Sequence, residues 1–260
     1  MTGFMVSYFK RKGDGLFETF RYIFEVFSDL VTFRKQTQIS AIVFFRQILF
    51  TGFDALSIIV LIAAAIGGIM VIEGNSVLPG FTQSKIFYNI LISIVFRELS
   101  CLLTAFIIVA RSGTAISTEL GNMTINHEIE ALLSFGVSPI TYLVVPRVLG
   151  VVAAMVILSI YFNVAAVLSC WALSSMFVPV SLDDFLMYVF AELSITDLIS
   201  GVVKSVVFGL VISLISTYQG LQVKIATTEV PQRTIKAVVL SLTWIIILDV
   251  LLTILFFFTV

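Results

Sequence analysis

Five long apolar stretches alternate with short polar ones along the chain, at about 54–72, 86–110, 148–173, 198–218 and 237–260. A hydrocarbon core about 30 Å thick needs roughly 20 helical residues at 1.5 Å each, so each stretch predicts one transmembrane helix. The second carries Arg97 and Glu98 near its middle. Halves of about a dozen residues are each too short to cross, so the pattern joins them into one helix with two intramembrane charges. The fourth stretch holds Lys204 and the fifth Asp249. Gly67 and Gly68 in the first predict close approach of a neighbouring helix.

Ahead of the spans, residues 1–50 read as a separate N-terminal region. In Leu16 to Phe33, Phe17, Phe20, Phe24, Phe27 and Val31 recur at intervals of three and four, with Glu18, Arg21, Glu25 and Asp29 between them. An aromatic stripe backed by charge predicts an amphipathic helix lying in the bilayer interface; a helix packed on other protein is the plainer alternative. Ile39 to Phe50 reads as an elbow into the first span. Lys10, Arg11 and Lys12 are not followed by a short apolar core and a small-residue cleavage site, so no secretory signal is expected. Residues 51–260 form the transmembrane domain. The fold class is therefore all-α polytopic membrane protein: an interfacial helix plus five transmembrane helices, with a short helix between the second and third.

Composition agrees: 59% hydrophobic, 12% charged and a mean hydropathy of +1.12 exclude an ordinary soluble domain. The net charge of -1 conceals an asymmetry of position. Seven basic residues precede the first span (Lys10, Arg11, Lys12, Arg21, Arg34, Lys35, Arg46). Arg111 and Arg147 flank the second loop, and Lys224, Arg233 and Lys236 occupy the fourth, whereas the opposite loops hold only Lys85. The positive-inside rule puts the N-terminus and those two loops in the cytoplasm and the C-terminus across the membrane.

Candidate chemistry is sparse. Cys101 and Cys170 lie in apolar runs and read as small buried hydrophobes. His127 reads as a solvated helix residue. No HExxH, GxSxG, Cys/His cluster or GxxxxGK[ST] loop is present, so no metal or cofactor site is expected and the chain has no phosphate loop of its own for ATP. The intramembrane ions remain. Each costs about 2.5–3.5 kcal/mol on insertion scales, so Arg97, Glu98, Lys204 and Asp249 line a polar cavity or pair with one another. Adjacent helical residues point about 100° apart, so Arg97 and Glu98 reach different neighbours. Glu98 with Lys204 is the preferred pair, with Asp249 as a structural partner for Arg97.

The longest soluble-looking passage runs from Arg111 to Pro146. Thr124 or Asn126 is placed to cap a helix with Glu128 and Glu130 in its first turn, where they suit its positive end. Ile125, Ile129, Leu132 and Leu133 share one side, and Gly136 before Ser138-Pro139 stops it. This short amphipathic helix either docks a partner or lies against the membrane.

The residues also carry a resemblance. Arg97-Glu98-Leu99, RSGTAISTELG from Arg111 to Gly121 with Met123, EIEAL from Glu128, GVSP from Gly136, YLVVPR from Tyr142, KSVVFGLVISLISTYQG from Lys204 and QRTIKAVV from Gln232 together resemble the MlaE (YrbE) family. These are permease subunits of ABC-type lipid transporters that work with MCE-domain proteins, and the resemblance extends from about Phe44 onward. It implies a homodimer in the bacterial inner membrane, enclosing a phospholipid-binding cavity beneath an MCE-domain periplasmic protein, with ATP and Mg in a separate ATPase subunit. It also implies a coupling role for Glu119, Glu128, Glu130, Leu132, Leu133, Phe135 and Gly136, and a place in or near the cavity for Arg97, Glu98 and Lys204. Where the family continues Arg-Glu-Leu with Gly-Pro, this chain has Ser100-Cys101, which predicts a straighter second span. Two readings of other classes stay open: a secondary transporter with Glu98 or Asp249 as proton site, which lacks the expected inverted repeat, and a scaffold whose ions are all internal pairs.

Overall fold

The computed structural model of the chain describes residues 21–29, 37–77, 80–177, 179–224 and 226–259. Eight helices follow in order: α1 (21–29), α2 (Thr37–Val77), α3 (Lys85–Ile125), α4 (Glu128–Ser134), α5 (Ile140–Phe177), α6 (Leu182–Glu192), α7 (Ile195–Leu221) and α8 (Glu229–Thr259). Among the described residues there is no strand. Helices α2, α3, α5, α7 and α8 are long and apolar enough to cross a membrane. Helix is the expected answer for such segments, because it satisfies every backbone group internally where no water is available.

The helices extend well past the apolar runs. At 41 residues, α2 takes in the expected elbow without a break. Helix α3 continues through Arg111 to Ile125, so the part of the soluble-looking passage up to Ile125 is helical extension, not loop. The 174–196 connection contains α6, capped by Ser181, whose Oγ accepts the Asp184 N–H at 3.1 Å. Replacing Gly-Pro by Ser100-Cys101 does not leave an unbroken α-helix: Leu91–Leu99 winds as a π-helix immediately before it. A second π-helical stretch covers Val109–Gly113.

Small residues set the helix spacing. Gly67 of α2 faces Ala166 and Cys170 of α5, where a Cβ would lie 2.7 Å from the Ala166 carbonyl oxygen. At Gly209 of α7 a Cβ would meet the Val152 Cα of α5 at 2.8 Å. Backbone against backbone has no rotamer to yield. Gly209→Ala should therefore push α5 and α7 apart and destabilise by about 1–3 kcal/mol; an unchanged midpoint on unfolding by SDS titration would contradict this packing.

The described part of α1 packs on protein through a face other than its phenylalanines. Val26 is fully buried with Val144, Val145 and Val148 of α5, while Tyr22 packs beside them and stacks on Tyr218 at 5.2 Å. The Tyr22 hydroxyl donates to Thr217 at 2.8 Å, and burial holds its phenol above the usual range, so it stays protonated. Thr141 donates to Asp29 at 2.6 Å. Phe24 and Phe27 point outward and are exposed. Phe17, Phe20 and Val31 of the expected stripe lie outside the described residues. Packing on protein and an outward aromatic face thus coexist on one helix.

Candidate functional site

Polar side chains gather where α3, α7 and α8 meet, from Asp197 in the first turn of α7 to Lys204 two turns further along. Helices α3 and α7 run parallel, with Arg97 beside Asp197, Cys101 beside Gly201 and Ser205, and Ser117 beside Gly220. Along this seam α7 presents Asp197, Ser200, Lys204, Ser205, Ser213, Ser216 and Thr217 as buried polar positions. Small residues allow the close approach; some hydroxyls return to i−3 or i−4 carbonyls, as Ser213 does to Gly209 at 2.7 Å, while Ser112 and Ser117 of α3 are buried without a hydrogen-bond partner among the described residues.

Lys204 is the centre of the cluster and is 1% exposed. Its ammonium donates to Glu98 Oε2 at 2.5 Å and to Thr253 Oγ1 at 2.8 Å, and lies 3.0 Å from Asp249 Oδ1. Thr253 also lies 3.2 Å from both Glu98 carboxylate oxygens. One ammonium with three donors therefore serves two helices. The Glu98–Lys204 pair agrees with the sequence reading.

The partner of Arg97 does not. Its guanidinium Nε sits 2.5 Å from Asp197 Oδ1, and Asp249 belongs to Lys204 instead. Asp197 and Lys204 are seven positions apart on α7, two turns and about 10.5 Å along one face. Arg97 and Glu98 thus separate along that face, one toward each. Asp197 also helps to start α7, where its Oδ2 accepts the Ser194 N–H at 2.9 Å in a capping box. A capping signature, Ser194-x-x-Asp197 before an apolar run, marks that residue in the sequence. Thr253 carries no comparable signal.

Openness distinguishes these groups from a sealed structural pair. The side chains of Arg97 and Glu98 are 34% and 29% exposed, against 2% for Lys204. An ion turned toward hydrocarbon is costly, so these open sides call for a polar neighbour.

At the other end of α3, the chain turns at His127, which holds φ 57° and stands at the N-cap of α4. Thr124 and Asn126 do not cap: Thr124 donates to the Leu120 carbonyl at 2.8 Å, and Asn126 donates to Glu128 at 3.4 Å. His127 Nδ1 lies 3.0 Å from Glu130 Oε2, on the surface. Gly136 ends α4 at φ 74° as predicted, with Val137 N–H on the Leu132 carbonyl and Gly136 N–H on that of Leu133, both at 3.0 Å. Ile129 and Leu132 pack inward, while Leu133 and Phe135 are exposed, so the expected apolar face is split. Glu119 pairs with the buried Arg147 at 2.8 Å, tying α3 to the start of α5 beside this helix.

Comparison with known proteins covers both ends of this arrangement. The family model described as Permease MlaE matches residues 44–255, from α2 through the ion cluster to α8. The chain belongs to the MlaE permease family. Relatives of this MlaE permease include a probable ABC transporter permease protein of Rickettsia typhi, 30% identical over 82% of each chain. A probable ABC transporter permease protein of Synechocystis is 29% identical over 82% of this chain and 81% of its own. Protein trigalactosyldiacylglycerol 1, chloroplastic, of Arabidopsis thaliana is 33% identical over 62% of this chain and 46% of its own. The MlaE permease is thus a membrane subunit and not itself an enzyme, and an ABC permease implies an ATPase partner.

Proposed function

We propose that the chain moves phospholipid or a related amphipathic lipid between the bacterial inner membrane and a periplasmic MCE-domain carrier. The observation that carries this is the half-open ion cluster of Arg97, Glu98 and Lys204 within three apolar spans, which offers charges to a headgroup. The chloroplast relative, named for a glycerolipid, supports a lipid class. Two copies enclose the cavity: α8 is the least covered span, and a second protomer shields the open sides of Arg97 and Glu98 from bulk lipid. The basic loops set the N-terminus in the cytoplasm and the C-terminus in the periplasm.

In this reading α4 is the coupling helix. Glu128 and Glu130 offer charge, and Leu133 and Phe135 offer apolar surface, to a groove of the ATPase, which holds the ATP and Mg. The Glu119–Arg147 pair carries movement of α4 into α3 and α5.

Replacing Glu98 and Lys204 together by alanine tests the cavity. Charge-assisted contacts contribute about 1.5–3 kcal/mol each, so phospholipid retained by the purified complex should fall about tenfold or more. Wild-type lipid content together with wild-type transport would remove the cavity assignment and leave the cluster a purely structural one.

A further inference from the structure

A groove of about 490 Å³ opens between α1, α7 and α8; none of the ion-cluster residues lines it, and its inner end reaches Leu248, next in the chain to Asp249. Its walls include Tyr22, Leu214, Tyr218, Leu240 and Trp244, almost wholly apolar, with Gln219 as the polar corner. Gln219 accepts a hydrogen bond from Arg233 at 3.3 Å, and Arg233 and Lys236 line a separate, polar pocket at the start of α8. On α8, Arg233, Lys236, Leu240, Trp244 and Leu248 follow one another at helical intervals of three and four, so the two pockets share one continuous face. That face is basic at the loop end and apolar toward mid-span. Glu229 lines the polar pocket too, but its carboxylate is engaged by the Lys224 backbone N–H at 3.0 Å.

We propose that this face binds one anionic glycerophospholipid of the cytoplasmic leaflet, its headgroup on Arg233 and Lys236 and an acyl chain in the groove against Trp244. Charge complementarity selects the occupant. A lipid is charged at one end and apolar along the rest, in the order that α8 presents, and basic pockets between spans on this side suit anionic headgroups. A partner helix fits less well, since a single turn of about 10 Å diameter already takes up about 400 Å³ and leaves the basic end unmatched. The lipid wedges between α1 and the α7–α8 pair, next to the Tyr22–Thr217 hydrogen bond that holds α1 in place. The proposal rests on the cytoplasmic placement of this loop and not on the lipid reading of the ion cluster.

Trp171 and Trp244 are the two tryptophans, so Trp171→Phe leaves Trp244 as the reporter. The protein, with its ATPase, is placed in nanodiscs of phosphatidylcholine containing a small fraction of brominated phosphatidylglycerol, or of brominated phosphatidylcholine as control. Both leaflets carry the same lipids, which makes the readout independent of orientation. At roughly fivefold per basic side chain, Trp244 quenching should favour phosphatidylglycerol by about 30-fold in half-saturating fraction. Arg233→Gln with Lys236→Gln should abolish the preference. Equal quenching by the two lipids, or a preference that survives the double variant, overturns the proposal. Native mass spectrometry of protein that retains Trp171 gives a second count: one phosphatidylglycerol per protomer, absent when Ile215→Trp fills the groove. Retention in that variant would equally rule the site out.

Discussion

Lys204→Met is expected to destabilise the folded permease by about 3–5 kcal/mol. The ammonium is buried and is the shared partner of Glu98 and Asp249, so its removal strands two carboxylates within the span with only Thr253 between them. The penalty comes from the groups left behind, not from the attraction lost. Taking the charges away together therefore behaves differently: Glu98→Gln, Lys204→Met and Asp249→Asn combined should recover most of the loss, since replacing a whole buried ion group by neutral residues is close to neutral. SDS-titration midpoints of the single and triple variants measure both. If Lys204→Met unfolds with the wild type, the cluster is solvated and the carboxylates do not depend on Lys204.

Reversing charge at α4 is expected to separate the permease from its ATPase. Glu128→Lys, Glu130→Lys and Phe135→Ala together remove both kinds of contact that α4 offers, two carboxylates and an aromatic ring that is 82% exposed. An aromatic anchor at an interface centre is worth about 2 kcal/mol or more, and reversed charges opposite a complementary site add to it. A total near 4 kcal/mol corresponds to about a thousandfold in affinity. No residue of α4 is buried, so the fold of the permease itself should be spared. The check is pull-down of the ATPase with the triple variant at matched membrane expression; wild-type recovery would show that the ATPase docks elsewhere.

Departures from the sequence reading have a common origin. The predicted phenylalanine stripe obeys helical spacing, yet in the described part of α1 Val26 and Tyr22 make the protein contact, because amphipathicity shows that a helix has faces and not which neighbour takes each. The same holds at α4, where Ile129 and Leu132 turn inward while Leu133 faces out. Thr124 is an acceptable cap by type, but α3 keeps winding through it, and the turn falls to His127. Capping residues compete with helix continuation, and long-range packing decides the outcome.

By itself the sequence determined the class of protein, its five spans, the stop at Gly136 and the set of ions that had to find partners. These follow from local quantities: apolar length against bilayer thickness, the left-handed conformation open to glycine, and the free energy of a charge in hydrocarbon. Pairing was only partly legible. Glu98 and Lys204 could be matched as opposite charges in two apolar runs, but nothing local says that Arg97 finds Asp197 or that Asp249 shares Lys204. Those choices depend on the relative rotation and axial stagger of α3, α7 and α8, which tight glycine and serine contacts fix. Partners tens to about a hundred residues apart in the chain become neighbours only after the helices pack.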